Sequence, residues 1–400
     1  MYIFGIVAEY NPFHNGHKFQ LDKARELGAT HIVAIMSPNF TQRGEPSVVN
    51  KFYRAQAAIK SGVDLVLELP TKFALSCAQR FAFGAVYILN KLNIVDKLIF
   101  GTELDDIKIL KKIAQETETN NFNKILLETL KTGLSFPRAR QVALENILGL
   151  DIAFEISKPN NILAIEYIKS LNKLKSNIEP LPIKRVATKH DSTEIFDNKI
   201  TSAFNLRKII KESNSIKNWK SFVPEQSFEV YKKAFLESQL PVLESRAQVA
   251  ILSKLRSLDL DQIKLIPDIS EGLENRIFKS IKNSGSLEEI YNNIKTKRYT
   301  MSRVRRAIYN LFLDIRESDF NLLPEFVRVL GCNTKGTEII NKIKKSSDIY
   351  IDNNIKRLSK INKNIEYNIN FEIRSTDIYN LFCKNILPCN LDLTNKFFVF

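Results

Sequence analysis

Cysteine is scarce: Cys77, Cys332, Cys383 and Cys389 are the only four in 400 residues. None forms a C-x-x-C pair or has a histidine close by, which argues against structural zinc and against a disulfide framework and leaves reduced, mostly buried thiols. Long apolar runs are missing too. No stretch approaches the roughly 20 residues that cross a bilayer, and the apolar start lacks a secretory signal's basic flank and small-residue cleavage site. The chain is therefore expected in the cytoplasm. Acid is in short supply: 44 Asp and Glu face 59 Lys and Arg, a formal charge of +15. Such a balance attracts polyanions by counterion release, so nucleic acid is the natural partner. The abundance of Lys, Asn and Ile also fits an AT-rich coding bias, in which case part of that charge carries no message. With 44% hydrophobic and 26% charged residues, the composition is that of a globular chain with room for two or three cores.

What is present begins with Tyr2-Ile3-Phe4-Gly5-Ile6-Val7-Ala8, a buried-strand pattern running into Glu9-Tyr10-Asn11-Pro12-Phe13-His14-Asn15-Gly16-His17. Apolar residues at 21, 24 and 27 then repeat at helical spacing up to Gly28, a C-terminal cap. Strand, tight turn and helix in that order build an anion site at the carboxyl edge of a parallel sheet, where backbone amides and the helix dipole meet phosphate. Gly16 allows close backbone approach. Two imidazoles three residues apart, His14 and His17, can both face one phosphate and donate hydrogen bonds or positive charge to a developing pentacoordinate phosphorus. The plainer alternative is that two of the chain's four histidines share a turn by chance or cap the helix.

Three further strands follow, at Ala29 to Met36, Val63 to Pro70 and Lys97 to Phe100, alternating with helices at Val48 to Ser61 and Phe73 to Leu92. That alternation predicts an α/β Rossmann-like parallel sheet. His31 reads as a satisfied core histidine, Arg80 as a surface or packing residue, and Glu68 and Pro70 as the rim of the site. The polar loop Ser37 to Pro46 occupies the position where α/β folds put substrate contacts. Asp105 to Gly149 is helical, Pro159-Asn160-Asn161 opens another helix as an N-cap and turn, and Pro182 to Asp191 reads as a late strand and loop. Beyond Lys211 helices dominate, at Ser227 to Glu237, Ser245 to Ser257, Leu273 to Lys282, Leu287 to Asn293 and Ser302 to Ile315, after a connector containing Trp219.

Between Ile290 and Leu313 stand six bases, Lys295, Lys297, Arg298, Arg303, Arg305 and Arg306, with no acid, interleaved with Tyr291, Tyr299 and Tyr309. Bases with aromatics suit contact with RNA phosphates and bases; a solvated helix face is the alternative. The tail from Phe326 mixes a helix at Lys335 to Lys344 with a strand-like Glu366 to Ile373 and a mobile-looking Asn353 to Asn364. The expected organisation is 1–210 catalytic, 220–325 helical, basic and RNA-contacting, and 326–400 a small mixed α/β extension: a Rossmann-like sheet with a mainly α-helical C-terminal domain.

The H-x-G-H turn resembles the signature of the nucleotidyltransferase superfamily that shares a catalytic fold with class I aminoacyl-tRNA synthetases. Its second signature, S-[SA]-[ST]-x-I-R, is approximated by Ser202-Ala203-Phe204-Asn205-Leu206-Arg207, with Phe204 where a hydroxyl is usual. The combination of Gly5 to His17, Asn39-Phe40-x-Gln42-Arg43-Gly44-Glu45-Pro46, Gly62-Val63-Asp64-x-Val66-x-Glu68-Leu69-Pro70, Phe100-Gly101-x-Glu103, Pro159 to Leu163, Glu271 to Arg276 and Lys297 to Thr300 resembles the bacterial tRNA(Met) cytidine acetate ligases over nearly the whole chain. The resemblance implies that acetate and ATP form acetyl-adenylate and pyrophosphate, and that the acetyl group moves to N4 of the wobble cytidine of elongator tRNA(Met). It places the nucleotide along Val7, Ala8, Glu9, Tyr10, Asn11, Pro12, Phe13, His14, Asn15, Gly16, His17, Lys18, Phe19 and Gln20, with Gly101, Asn160 and Arg185 as further ATP contacts. Ser202 and Arg207 fall at the second signature, where helix-start amides and arginine suit a triphosphate. Magnesium accompanies ATP in this reading, with no protein ligands for a metal. Asn50 stands where the family is expected to have aspartate, and no role is assigned to it. Two other readings stay open on the motifs alone: an adenylyltransferase joining AMP to a phosphorylated small molecule, and an RNA-binding protein with a vestigial nucleotide pocket.

Overall fold

The first strand, β1 (Ile3–Ala8), is apolar throughout because both of its faces are covered, as parallel sheets require. It pairs in parallel with β2 (His31–Met36), which pairs with β3 (Leu65–Glu68). On its other side β1 pairs with β4 (Lys97–Thr102), followed by β5 (Glu179–Lys184), also parallel. The order β3-β2-β1-β4-β5 reverses direction between β1 and β4. Open α/β sheets bind ligands beside such a reversal, in the crevice at the carboxyl ends of the two strands. The computed structural model that shows this describes all residues except 157, 186–194, 197–198, 214, 395–397 and 400.

Alternate strand residues serve opposite layers. Phe4, Ile6, Ile32, Ala34 and Val66 share one core with α1 (Asn15–Glu26) and α2 (Lys51–Lys60). Ile3, Val33, Ile35, Leu65 and Leu67 share the other with α3 (Ala78–Lys91) and α4 (Pro159–Lys173). The helix expected over Phe73 to Leu92 is thus two pieces, Thr71–Ala74 and α3, with Cys77 as N-cap of the second. His31 is the core histidine expected, its ring nitrogens on Thr30 and Glu338. Asn50 caps α2, its side chain accepting from the amides of Phe52 and Tyr53.

α5 (Ala203–Glu212) carries the second signature, and α6 (Glu225–Leu236) packs with Trp219 into the α1/α2 layer: Trp219, Phe228 and Tyr231 share that core. The separate helical core is built from Val242 to Ile315, includes α7 (Met301–Leu313), and takes in Phe40 from the loop after β2. The Phe40 ring lies 5.5 Å from Tyr309, 5.9 Å from Tyr379 and 6.1 Å from Phe382, so the Phe40–Pro46 hairpin plugs the sheet layer into the helical one.

Residues 326–400 are mixed α/β. Their first strand, β6 (Phe326–Cys332), extends the main sheet antiparallel to β3, and β7 (Tyr350–Asp352) follows it. The strand-like Glu366 to Ile373 lies instead inside α8 (Lys363–Tyr379). Its polar/apolar alternation suggests a strand, but Ile365 and Ile369, four apart, are buried in one cluster with Ile373 against it, and Asn362 caps the helix, accepting from the amide of Ile365. The segment read as mobile contains a short helix, Ile355–Leu358, with both ends of it buried. Glu68, expected at the rim of the site, is buried in an ion cluster: Lys51 Nζ lies 2.6 Å from Glu68 and 2.8 Å from Asp392, and Arg328 lies 3.0 Å from Asp392. Asp392 comes from the far end of the chain, a partner that no local pattern announces. Removing one member of such a cluster strands a buried charge, at a cost of about 3–5 kcal/mol. No helix among the described residues is long and apolar enough to cross a membrane.

Candidate active site at the switch point

The turn leaving β1 is held by several segments of the chain. Tyr10 adopts a left-handed φ of 46°. Asn11 Oδ1 accepts from the Val48 amide at 2.7 Å, Arg207 Nη1 donates to the Asn11 carbonyl at 3.0 Å, and the Phe13 amide donates to Tyr231 Oη at 2.8 Å. Asn15 Nδ2 donates to the carbonyls of Lys199 and Ser221 at 2.8 and 2.9 Å. Arg54, fully buried, donates through Nε to the Val49 carbonyl at 3.0 Å and through Nη1 to those of Glu9 at 2.6 Å and Ser37 at 3.0 Å, and Nη2 reaches Pro38. The sequence signal for Arg54 is an arginine in an otherwise Ala-rich helix.

His14 is the N-cap of α1, in extended conformation. Its Nδ1 accepts from the Gly16 amide at 3.0 Å, and His17 Nδ1 accepts from the His14 amide at 3.2 Å. Capping, the plainer alternative read from the sequence, is thus a role these two rings do fill, and their centroids lie 3.8 Å apart. Since each Nδ1 accepts, the ring hydrogen of each sits on Nε2, leaving one N–H donor on each ring. Burial, helped by Arg185 and Arg207, pushes the His14 pKa down to about 3; burial, then His14 and Arg185, drives His17 well below its usual value. Of the two options read from the sequence, hydrogen bonds or positive charge, the arrangement favours neutral donors. Gly16 is explained by the ring beside it: a Cβ there would lie 2.8 Å from His14 Cε1.

The other candidates divide. Val7 and Ala8 end β1, partly exposed at the crevice, and Pro12 and Phe13 are buried in the turn. Gln20 Nε2 donates to the Ile99 carbonyl at 3.2 Å, tying α1 to β4. Gly101 gives room to Arg185, whose Cγ would be 3.1 Å from a Cβ there, and the Arg185 amide donates to Thr102. Asn160 Nδ2 donates to Glu103 Oε1 at 2.5 Å, while Asn161 Oδ1 accepts from the amides of Glu103 and Leu104 at 2.9 and 3.1 Å. These two asparagines therefore stitch α4 to the loop after β4; the N-cap of α4 is Lys158. Ser202 caps α5, accepting from the Asn205 amide at 3.0 Å, and Arg207 Nη2 pairs with Glu45 at 3.2 Å. Lys18 pairs with Asp22 and lines a polar groove with Arg25, Gly62 and Asn333, and Phe19 lies under Lys23. His14, His17, Arg185 and Arg207 are thus brought together, with Glu9 alongside, while Lys18 faces elsewhere. The loop His190-Asp191 lies outside the described residues.

Of the basic stretch, Lys295 and Lys297 are exposed and Arg298 half-buried. Arg303 donates to the Asp268 carbonyl and to Ser270 Oγ. Arg305 stacks over Tyr291 at 5.0 Å and faces Glu45 at 3.9 Å and Glu244 at 4.0 Å. Arg306 is buried and donates to the Gln42 carbonyl at 3.2 Å. The tyrosines are buried as well, Tyr291 and Tyr309 both donating to Glu244 at 2.8 Å and Tyr299 to the Glu271 carbonyl at 2.6 Å.

The family model described as HIGH Nucleotidyl Transferase matches residues 1–391. The tRNA(Met) cytidine acetate ligase of Thermoanaerobacter sp. (strain X514) is 40% identical over 401 residues, covering 98% of each chain. The chain belongs to the tRNA(Met) cytidine acetate ligase family. Crystal structures of Thermotoga maritima TmcAL, 33% identical and covering all of both chains, superpose with a TM-score of 0.94 for the apo form and 0.91 for the form bound with alpha-thio ATP. The Rossmann-like sheet with its helical C-terminal region is thus the architecture of the ligase family, and the chain is a ligase of the HIGH nucleotidyl transferase type.

Proposed function

We propose that the chain binds ATP at the His14–His17 turn, joins acetate to AMP, and passes the acetyl group to N4 of the wobble cytidine of elongator tRNA(Met), in the cytoplasm. An acetate oxygen attacks the α-phosphorus and pyrophosphate leaves with the P–O electron pair; N4 then attacks the acetyl carbon and AMP leaves. The observation that carries this reading is the pair of neutral imidazoles with both Nδ1 atoms occupied, which supports two Nε2–H donors toward the α-phosphate oxygens. One such donor contributes roughly 10²–10³ in rate. Arg185, Arg207 and the start of α5 supply positive potential for the leaving pyrophosphate. Val7 to Gln20, Gly101 and Asn160 frame the nucleotide. Magnesium comes with ATP, carried on its phosphates. Lys295, Lys297 and Arg298 are the RNA phosphate contacts, and Arg303, Arg305 and Arg306 hold the face that presents them.

The test is incubation with labelled acetate, ATP and bulk tRNA, followed by mapping of the labelled nucleoside, with pyrophosphate exchange measured with and without acetate. Label in N4-acetylcytidine and acetate-dependent exchange support the reading. A stable dinucleotide made without acetate would replace it by an adenylyltransferase.

A further inference from the structure

Transfer of an acetyl group to an aromatic amine releases a proton from N4, and some group must take it. His14 and His17 already carry hydrogen on Nε2 and have Nδ1 occupied. Glu45 is bound by Arg207 and faces Arg305; burial pushes its pKa up, but Arg207, Lys211, Arg305 and Arg43 outweigh that and hold it low. Glu103 is spent on Asn160 and on the Asn161 amide. Glu9 differs from all of these. It is the first residue past β1 at the switch point and is partly exposed there. One of its oxygens accepts from the Gln42 amide at 2.9 Å, and the other accepts no hydrogen bond from a described residue. Gln42 in turn receives Arg306 of the basic helix α7, so the Glu9 carboxylate lies between the phosphate-binding turn and the helix next to the proposed RNA face.

We infer that Glu9 is the general base of the acetyl-transfer step, an inference that rests on the ligase reading above. As the N4 lone pair forms the C–N bond and the acetyl–phosphate C–O bond breaks with its electrons going to AMP, the N4 proton passes to the free Glu9 oxygen. Burial raises the pKa of Glu9, opposed by the Gln42 amide, Arg207 and Arg43 and reinforced by Glu45; Tyr167 and Arg54, from α4 and α2, also lie within electrostatic reach. A carboxylate so poised is a stronger base than one in water.

The experiment compares Glu9→Gln and Glu9→Asp with the wild type in two assays on the full chain: acetate-dependent ATP–pyrophosphate exchange, and single-turnover acetylation of tRNA from preformed acetyl-adenylate. Gln keeps the acceptor for Gln42 and removes the base. The ratio of transfer to exchange is expected to fall about 100-fold or more in Glu9→Gln and less in Glu9→Asp. The wild-type transfer rate rises with pH and levels off as Glu9 loses its proton, whereas the Glu9→Gln profile is flat through that range. An equal loss in both assays, or an unchanged ratio, overturns the assignment in favour of a nucleotide-holding role or of AMP as the proton acceptor. Absence of acetate-dependent exchange in the wild type itself overturns the ligase reading, and this one with it.

Discussion

The turn at residues 9–17 and the basic stretch at residues 295–306 both present polar side chains at a place where a polyanion is expected, yet they are built oppositely. In the turn, backbone amides consume one nitrogen of each imidazole, so the rings are oriented by the cap of the helix they start. In the basic stretch, Arg303, Arg305 and Arg306 are drawn inward by carbonyls and carboxylates from other segments, leaving Lys295, Lys297 and Arg298 outside. The arrangement in the first is encoded within four residues; in the second it depends on partners that lie as far as 264 residues away in sequence. The difference teaches that spacing is a safer guide to a site than charge.

The sharpest way to break this comparison is to remove the rings. His14→Ala or His17→Ala is expected to lower acetate-dependent pyrophosphate exchange by roughly 10²–10³. Loss of the His14 cap alone costs about 1 kcal/mol of stability, so a thermal melt separates the two effects. On the other side, Arg306→Ala is expected to destabilise the fold by about 1.5–3 kcal/mol through loss of its bond to Gln42, measured by urea unfolding. Gly44→Ala should act in the same direction at the same junction: its φ is 74°, and a Cβ would lie 2.5 Å from the Arg306 amide nitrogen. Lys297→Ala, by contrast, should leave stability within about 0.5 kcal/mol and weaken tRNA binding, with a flatter dependence of affinity on salt.

A pH scan sharpens the contrast. His14 has a folded pKa of about 3, below the unfolded 6.5, so the unfolded chain takes up a proton over a range where the folded one does not. Its contribution to stability is fully present above about 6.5 and is lost as pH falls toward 3. His14→Gln should be less acid-sensitive across that window, whereas Lys297→Ala should follow the wild-type curve.

Much of the fold is legible in the residues. Continuous apolar strands alternating with capped helices specify a parallel sheet, and the strand–H-x-G-H–helix order locates the crevice before any coordinates. The helix α8 was masked because Tyr367, Ile369, Phe371 and Ile373 alternate like a strand, and only packing of Ile365 and Ile369 on one side decides for a helix. The Lys51–Glu68–Asp392–Arg328 cluster and the hold of Arg54 on the Glu9, Ser37 and Pro38 carbonyls were not readable, since each depends on closure between distant segments. The same holds for Glu45, whose bond to Arg207 spans the distance from loop to α5.

The most direct test of the central claim is nitrogen NMR of the histidine rings, with and without ATP. The account predicts that both His14 and His17 are neutral near pH 7 with hydrogen on Nε2, and that both Nε2–H signals shift when ATP binds. Rings protonated on Nδ1, or Nε2 signals that ATP leaves in place, would contradict it.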